Sequence, residues 1–356
     1  MQHAAAHIQA IGKAVPEHDV HLDYIRWAEE QMGQSRERAL FTRMARRSGI
    51  DHRWSVLARN EASRSATSAE GFFRASPAPS TARRMEIYTR EAPELALAAI
   101  ADLARQAELG GITHLVVASC TGFVAPGIDQ IIARRLGLSP AIERTLVGFM
   151  GCYAGIAALR VAHHIVRSDP QARVLVVAVE LCSLHLPSGS GLDVLLGAMQ
   201  FGDGAAAALV CAGPGGTRLD RFFCTTLPAS DALIQWTIGD TGFDMILSGE
   251  VPARIAQALQ EPELRDMLLA GQDAAMLDWA VHPGGRTIVD AVEGGLGLDP
   301  AALGPSRSVL ARFGNMSSAT ILFVLAEIMA RPRHAAGIAM AFGPGLAAEG
   351  FAFSRA

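Results

Sequence analysis

At 356 residues, with 50% hydrophobic and 19% charged side chains, the chain can bury one large core or two fused halves and is far too apolar for disorder. A net charge of −4 leaves no basic excess for nucleic acid, and no apolar run reaches the ~18–20 residues of a membrane span. The single lysine, Lys13, rules out GxxxxGK[ST] and with it a P-loop nucleotide site; a Schiff-base enzyme would have only this N-terminal residue to use. Five cysteines without a CxxC pair point to neither a disulfide framework nor a cysteine-rich zinc site, so no metal is expected. Met1 to Ala14 lacks the continuous apolar stretch of a signal peptide, so the expected location is cytoplasmic.

In chain order, Ile8 to Val15 reads as a strand followed by amphipathic helix. Ala58 to Ala82, rich in Ser, Ala, Pro and Arg, reads as a surface loop, and Ala92 to Leu109 as a helix. Thr113 to Ala118 is an apolar, β-branched run of strand length. Gly151-Cys152-Tyr153-Ala154-Gly155 opens a helix to about Arg167, stopped by Asp169-Pro170. Arg173 to Leu181 and Ala205 to Val210 are continuous apolar runs, as in strands buried on both faces. After the Gly213–Gly216 joint the plan recurs. A strand (Leu277 to Val281) meets His282-Pro283-Gly284-Gly285, Asn315 precedes a helix ending before Pro332, and Gly337 to Phe342 and Gly350 to Ser354 are closing strands. Two halves, 1–213 and 214–356, thus share one α/β plan with a sheet each and polar residues at strand ends.

Three of those residues carry chemistry. Cys152 stands between glycines at a helix start, where partial positive charge and free N–H groups favour thiolate. A buried cysteine packing as a small hydrophobe is equally compatible with that position taken alone. His282 alone could be a hydrogen-bonded structural histidine, and Asn315 a helix cap. Together they are more specific. A thiolate beside an imidazole takes an acyl group, and a neutral imidazole N–H with a carboxamide NH₂ forms an oxyanion hole for the enolate left when a malonyl thioester loses carbon dioxide.

The segments Gly148 to Gly155, Phe201 to Ala206, Val281 to Gly285, Gly314 to Ala319 and Phe342 to Gly345 closely resemble, in order and spacing, the motifs of chalcone-synthase-like enzymes, the type III polyketide synthases. The resemblance runs from about Phe41 to Phe353 and is of a bacterial kind. It implies a thiolase-like αβαβα five-layered fold of two similar halves, a homodimer, and no cofactor beyond the coenzyme A of the thioester substrates. It also implies iterative decarboxylative condensation of malonyl-CoA onto an acyl-CoA starter held on Cys152, with His282 and Asn315 promoting decarboxylation, and closure to a resorcinol, pyrone or naphthol.

Carried over residue by residue, the resemblance gives Arg43 and Arg47 to the coenzyme A phosphates, with Leu40 where a lysine is usual. It makes Phe201 a gatekeeper and puts Met245 where a second gatekeeper phenylalanine is usual. Cys120, Thr121, Cys182, His185, Ser317, Gly284 and Gly285 fall on cavity positions. Cys120 is similar to naphthol-forming bacterial members, whereas His185 departs from them, so product identity stays open. The rival readings are a condensing enzyme that stops after one extension, a non-catalytic scaffold of the same fold, and a cysteine hydrolase.

Overall fold

The computed structural model describes residues 4–33, 35–57, 71–74, 77–186 and 191–355. Nine strands form one large sheet: β1 (Ala6–Ala14), β4 (His114–Ser119), β5 (Glu143–Gly148), β6 (Arg173–Leu181), β7 (Asp203–Ala212), β8 (Thr217–Thr226), β11 (Asp278–Val281), β12 (Ala336–Gly343) and β13 (Ala347–Arg355). Two-residue strands β2 (His18–Asp19) and β3 (Trp54–Ser55) pair with each other, and β9 (Ile234–Gly239) with β10 (Gly242–Leu247) makes a hairpin. The order β11-β12-β13-β8-β1-β7-β6-β4-β5 makes the two expected sheets the two ends of one continuous sheet. Ala6 to Ile8 of β1 pair with Thr217 to Leu219 of β8, and that short ladder joins the halves.

The layers follow from side-chain alternation along buried strands. In β6, Val174, Val176 and Ala178 face a central core, while Leu175, Val177 and Val179 face an outer one under the helix Thr81–Ala104. In β12, Ala339 and Ala341 face the same central core, and Ile338 and Met340 face a third core under the helix Arg286–Leu296. Between the two halves of the sheet lie the helices Ala154–Ser168 and Thr320–Ala330, each buried over most of its length. Helix, sheet, helix pair, sheet, helix is the five-layered αβαβα plan. No helix among the described residues is long and apolar enough to cross a membrane.

The expected loop over 58–82 lies largely outside the described residues, and from Thr81 the chain is already helical. That helix begins well before the expected Ala92, and Ile87 and Tyr88 already bury its inner face. Arg84 is buried there, donating to the carbonyls of Pro79 (3.1 Å) and Leu184 (2.6 Å), so a charged residue occupies a core position.

Candidate active site

Strand β5 ends at Gly148, and the chain turns through Phe149 and Gly151, both at positive φ (58° and 78°), into a short 3-10 turn that carries Cys152 to the start of the helix Ala154–Ser168. A side chain on Gly151 is excluded twice. Its φ is left-handed, and a Cβ would stand 2.3 Å from Cδ of Pro344, in the Gly343-Pro344-Gly345 turn. Gly151→Ala is therefore expected to destabilise the fold by at least the ~1–2 kcal/mol of left-handed strain. A urea midpoint equal to that of the parent would contradict this.

His282 follows β11, with its backbone N–H bonded to Met340 O at 2.8 Å. Its ring is buried, and neither nitrogen has a hydrogen-bond partner among the described residues. Asn315, also buried, is fixed on both sides of its amide: Oδ1 accepts from Ser317 N (2.8 Å) and Nδ2 donates to Gly284 O (3.2 Å). That orientation sets Nδ2 3.9 Å from Cys152 Sγ. Backbone bonds to Gln200 O (2.8 Å) and from Gly202 N (3.0 Å) anchor Asn315 to the Phe201 segment. Cys152, His282 and Asn315, from three distant stretches, line one cavity of about 740 Å³.

Burial pushes the Cys152 thiol up to about 11, against the hydrogen bonds of Ser317 and Asn315, and holds the His282 imidazolium down to about 3. This corrects the expectation that the helix start favours thiolate: desolvation outweighs the helix end here. Neither group takes a charge alone. Both side chains line the same cavity, but no hydrogen bond joins them.

Of the other expected site residues, Cys120, Thr121, Cys182, Phe201, Met245, Ser317 and Gly284 line the same cavity. Cys120 Sγ accepts from Gly151 N (3.0 Å), tying the cavity wall to the Cys152 turn. His185 does not line this cavity. It lines a smaller apolar chamber of about 90 Å³ that shares Cys182, Phe201 and Met245 with it. Both its ring nitrogens are occupied, by Thr121 O (2.7 Å) and Phe243 N (3.1 Å), and its ring stacks on Phe243. Gly285 likewise stands off the cavity lining, packed against the Gln200 side chain. Arg43 and Arg47 are exposed and have no ion-pair partner among the described residues; Met44, between them, lines the cavity.

Sequence reasoning missed two residues that shape the site. Trp236 lines both cavity and chamber, its Nε1 donating to Cys120 O (3.0 Å) and its ring edge-on to His185 and Phe243. Only the choice of a tryptophan in a short hairpin hinted at it. Glu180 is fully buried in β6 and accepts from Cys120 N (2.9 Å), Thr121 Oγ1 (2.7 Å) and Ser318 Oγ, so it ties the Cys120 and Ser318 turns together beside Cys152. A carboxylate inside the apolar run Arg173–Leu181 was the available signal.

Burial sets a pH dependence of stability. His21, His163 and His185 are held at about 4 and His282 at about 3, chiefly by desolvation. The unfolded chain takes these protons near the ordinary ~6.5, so each such imidazole lowers stability as pH falls through the window below it. Glu180, raised to about 7, and Asp203, raised to about 6, act oppositely, since the folded chain binds their protons first. Four imidazoles outweigh two carboxyls. The urea midpoint is expected to fall between pH 6 and 4.5, more shallowly in His282→Gln; a midpoint that rises on acidification would contradict the assignment.

The sequence matches the family models for the N-terminal domain of chalcone and stilbene synthases over residues 1–214 and for their C-terminal domain over 219–355. It is 38% identical over 297 residues to a bisdemethoxycurcumin synthase of Oryza sativa subsp. japonica, covering 76% of this chain and 73% of that one. It is 36% identical over 294 residues to an alpha-pyrone synthesis polyketide synthase-like protein of Mycobacterium tuberculosis, covering 77% and 74%. Among solved structures, the C-terminal type III polyketide synthase domain of Dictyostelium Steely1 superposes with a TM-score of 0.90 at 25% identity over 99% of both chains. PKS-I of the brown alga Ectocarpus siliculosus gives 0.90 at 26% identity over 100% of both. With the αβαβα layers in place and both family domains matched, the chain belongs to the chalcone and stilbene synthase family, the type III polyketide synthases, with their thiolase-like fold.

Proposed function

We propose that this protein loads an acyl-CoA starter on Cys152 and extends it by repeated decarboxylative condensation with malonyl-CoA, closing the product to a resorcinol, pyrone or naphthol. The observation that carries this reading is the meeting of Cys152, His282 and Asn315 in one cavity, with the Asn315 amide aimed at the sulfur.

The steps follow from that geometry. His282, neutral through burial, takes the thiol proton as sulfur attacks the starter carbonyl, and coenzyme A leaves with a proton. A malonyl thioester then sets its carbonyl oxygen between Asn315 Nδ2 and a His282 N–H. Those donors stabilise the enolate as carbon dioxide departs. The enolate carbon attacks the acyl group on Cys152, the carbon–sulfur bond breaks, and the lengthened chain leaves on coenzyme A to reload. Exposed Arg43 and Arg47 beside the Met44 edge of the cavity would hold the coenzyme phosphates. Phe201, Met245 and Trp236 bound the space into which the chain grows.

A homodimer is part of the same proposal. β5 is an edge strand with Leu146 46% exposed, and Phe123 is 44% exposed, so apolar surface lies open at that edge. Sedimentation at a monomer mass would contradict it.

The function is tested with purified protein, radiolabelled malonyl-CoA and a series of acyl-CoA starters, read by carbon dioxide release and product mass. Release of label together with multiply extended products is expected. A single extension would favour the one-step condensing reading, and no release with any starter would refute the proposal.

A further inference from the structure

We propose that Gln200 is a substrate-binding residue whose carboxamide hydrogen-bonds an amide of the pantetheine arm. The proposal rests on the coenzyme A thioester reading above. Gln200 directly precedes Phe201, and its backbone carbonyl holds Asn315 N at 2.8 Å, which fixes its Cα beside the catalytic amide. Its side chain lines the catalytic cavity and makes no hydrogen bond to any described residue. A carboxamide has two N–H donors and an oxygen with two lone pairs, none of them taken up by a described residue.

The position of the amide is held by a missing side chain. A Cβ on Gly285 would lie 1.9 Å from Gln200 Oε1 and 3.0 Å from its Cδ. The second glycine of His282-Pro283-Gly284-Gly285 thus leaves the room that the amide fills. Nearby walls of the cavity are mostly apolar, including Met44, Ile288, Val251 and Pro252. A pantetheine arm threading such walls carries secondary amides that lose water and need partners. Each offers one donor and one acceptor, the complement of a free carboxamide.

The malonyl carboxylate is the other candidate for this contact, and it is disfavoured on energetic grounds. Hydrogen bonds to that carboxylate stabilise the ground state more than the carbon-dioxide-like transition state and slow the step the site promotes. A bond to the arm is the same in both states and contributes binding alone.

The test uses Gln200→Met, which removes the amide at similar length, and Gly285→Ala, which keeps the amide but displaces it. Gly285 has extended backbone, φ 171°, so alanine is tolerated there. Calorimetry with coenzyme A alone is expected to show Kd raised roughly 3- to 10-fold in both variants, the size of one hydrogen bond. KM for starter and malonyl-CoA should rise together by a similar factor with kcat within about two-fold. S-ethyl thioesters, which lack the arm, should react equally with parent and variants.

Loss confined to malonyl-CoA would overturn the proposal in favour of a carboxylate contact. So would an equal loss on armless thioesters, which marks a structural effect through Asn315, or coenzyme A affinity unchanged in both variants. A parent protein that binds coenzyme A but releases no carbon dioxide from malonyl-CoA would refute the condensing reading and leave the Gln200 contact to be decided by the calorimetry.

Discussion

Cys152→Ala is expected to abolish chain extension while leaving measurable release of carbon dioxide from malonyl-CoA. Extension needs a carbon–sulfur bond to the starter, and alanine offers no atom to form it. Loss of a covalent nucleophile lowers turnover on the order of 10⁴-fold or more in other acyl-transfer enzymes. Decarboxylation needs no such bond. It needs donors where the thioester oxygen gains charge, and those are the His282 ring and Asn315 Nδ2, in an amide fixed by Nδ2 donating to Gly284 O and Oδ1 accepting from Ser317 N. Alanine also removes a thiol that burial keeps uncharged, so the electrostatics of the two donors change little. The check is parallel measurement of ¹⁴C release and product mass. Extended product from the alanine protein would show that Cys152 is not the nucleophile, and loss of both activities with an unfolded circular dichroism spectrum would instead mean that Cys152 is structural.

Asn315→Leu is expected to lower carbon dioxide release by about 10²–10³-fold, the effect of removing one oxyanion donor. The leucine keeps volume but leaves the Gly284 carbonyl and the Ser317 N–H without their side-chain partners. A stability loss of about 1–3 kcal/mol should accompany the catalytic one. The two are separable. Single-turnover transfer of the starter to Cys152 depends mainly on sulfur and imidazole and should fall far less than decarboxylation. Equal loss of both steps would point to collapse of the cavity. His282→Ala should suppress both, because the proposed mechanism uses the imidazole as proton acceptor in one and donor in the other.

The meeting of Cys152, His282 and Asn315 in one cavity could be read from the sequence because glycines and proline punctuate each motif, and their turns survive any detail of packing. Strand β6 was found to the residue, since Val174–Val179 within it is an unbroken apolar run. What escaped depends on which way a side chain points once layers close. Gln200 and Trp236 lie in segments with no reactive signature, and only the facing Gly285 and Cys120 O make them part of the cavity. His185 fell on a cavity position, yet its ring is spent on Thr121 and Phe243 behind the wall. Thiol acidity was misjudged for a related reason. A helix start is visible in a sequence, whereas the desolvation that overrides it comes from residues far along the chain.

The ladder between Ala6–Ile8 and Thr217–Leu219 bears on how the catalyst can fail. The sulfur hangs from one side of this seam, and the imidazole and carboxamide from the other. Shear between the halves would widen the gap between the proposed nucleophile and its proposed oxyanion donors before any single layer melts. Inactivation should therefore precede loss of far-ultraviolet ellipticity during gentle heating. Two fragments cut between 213 and 217 would each lack part of the proposed catalytic set, however well either one folds.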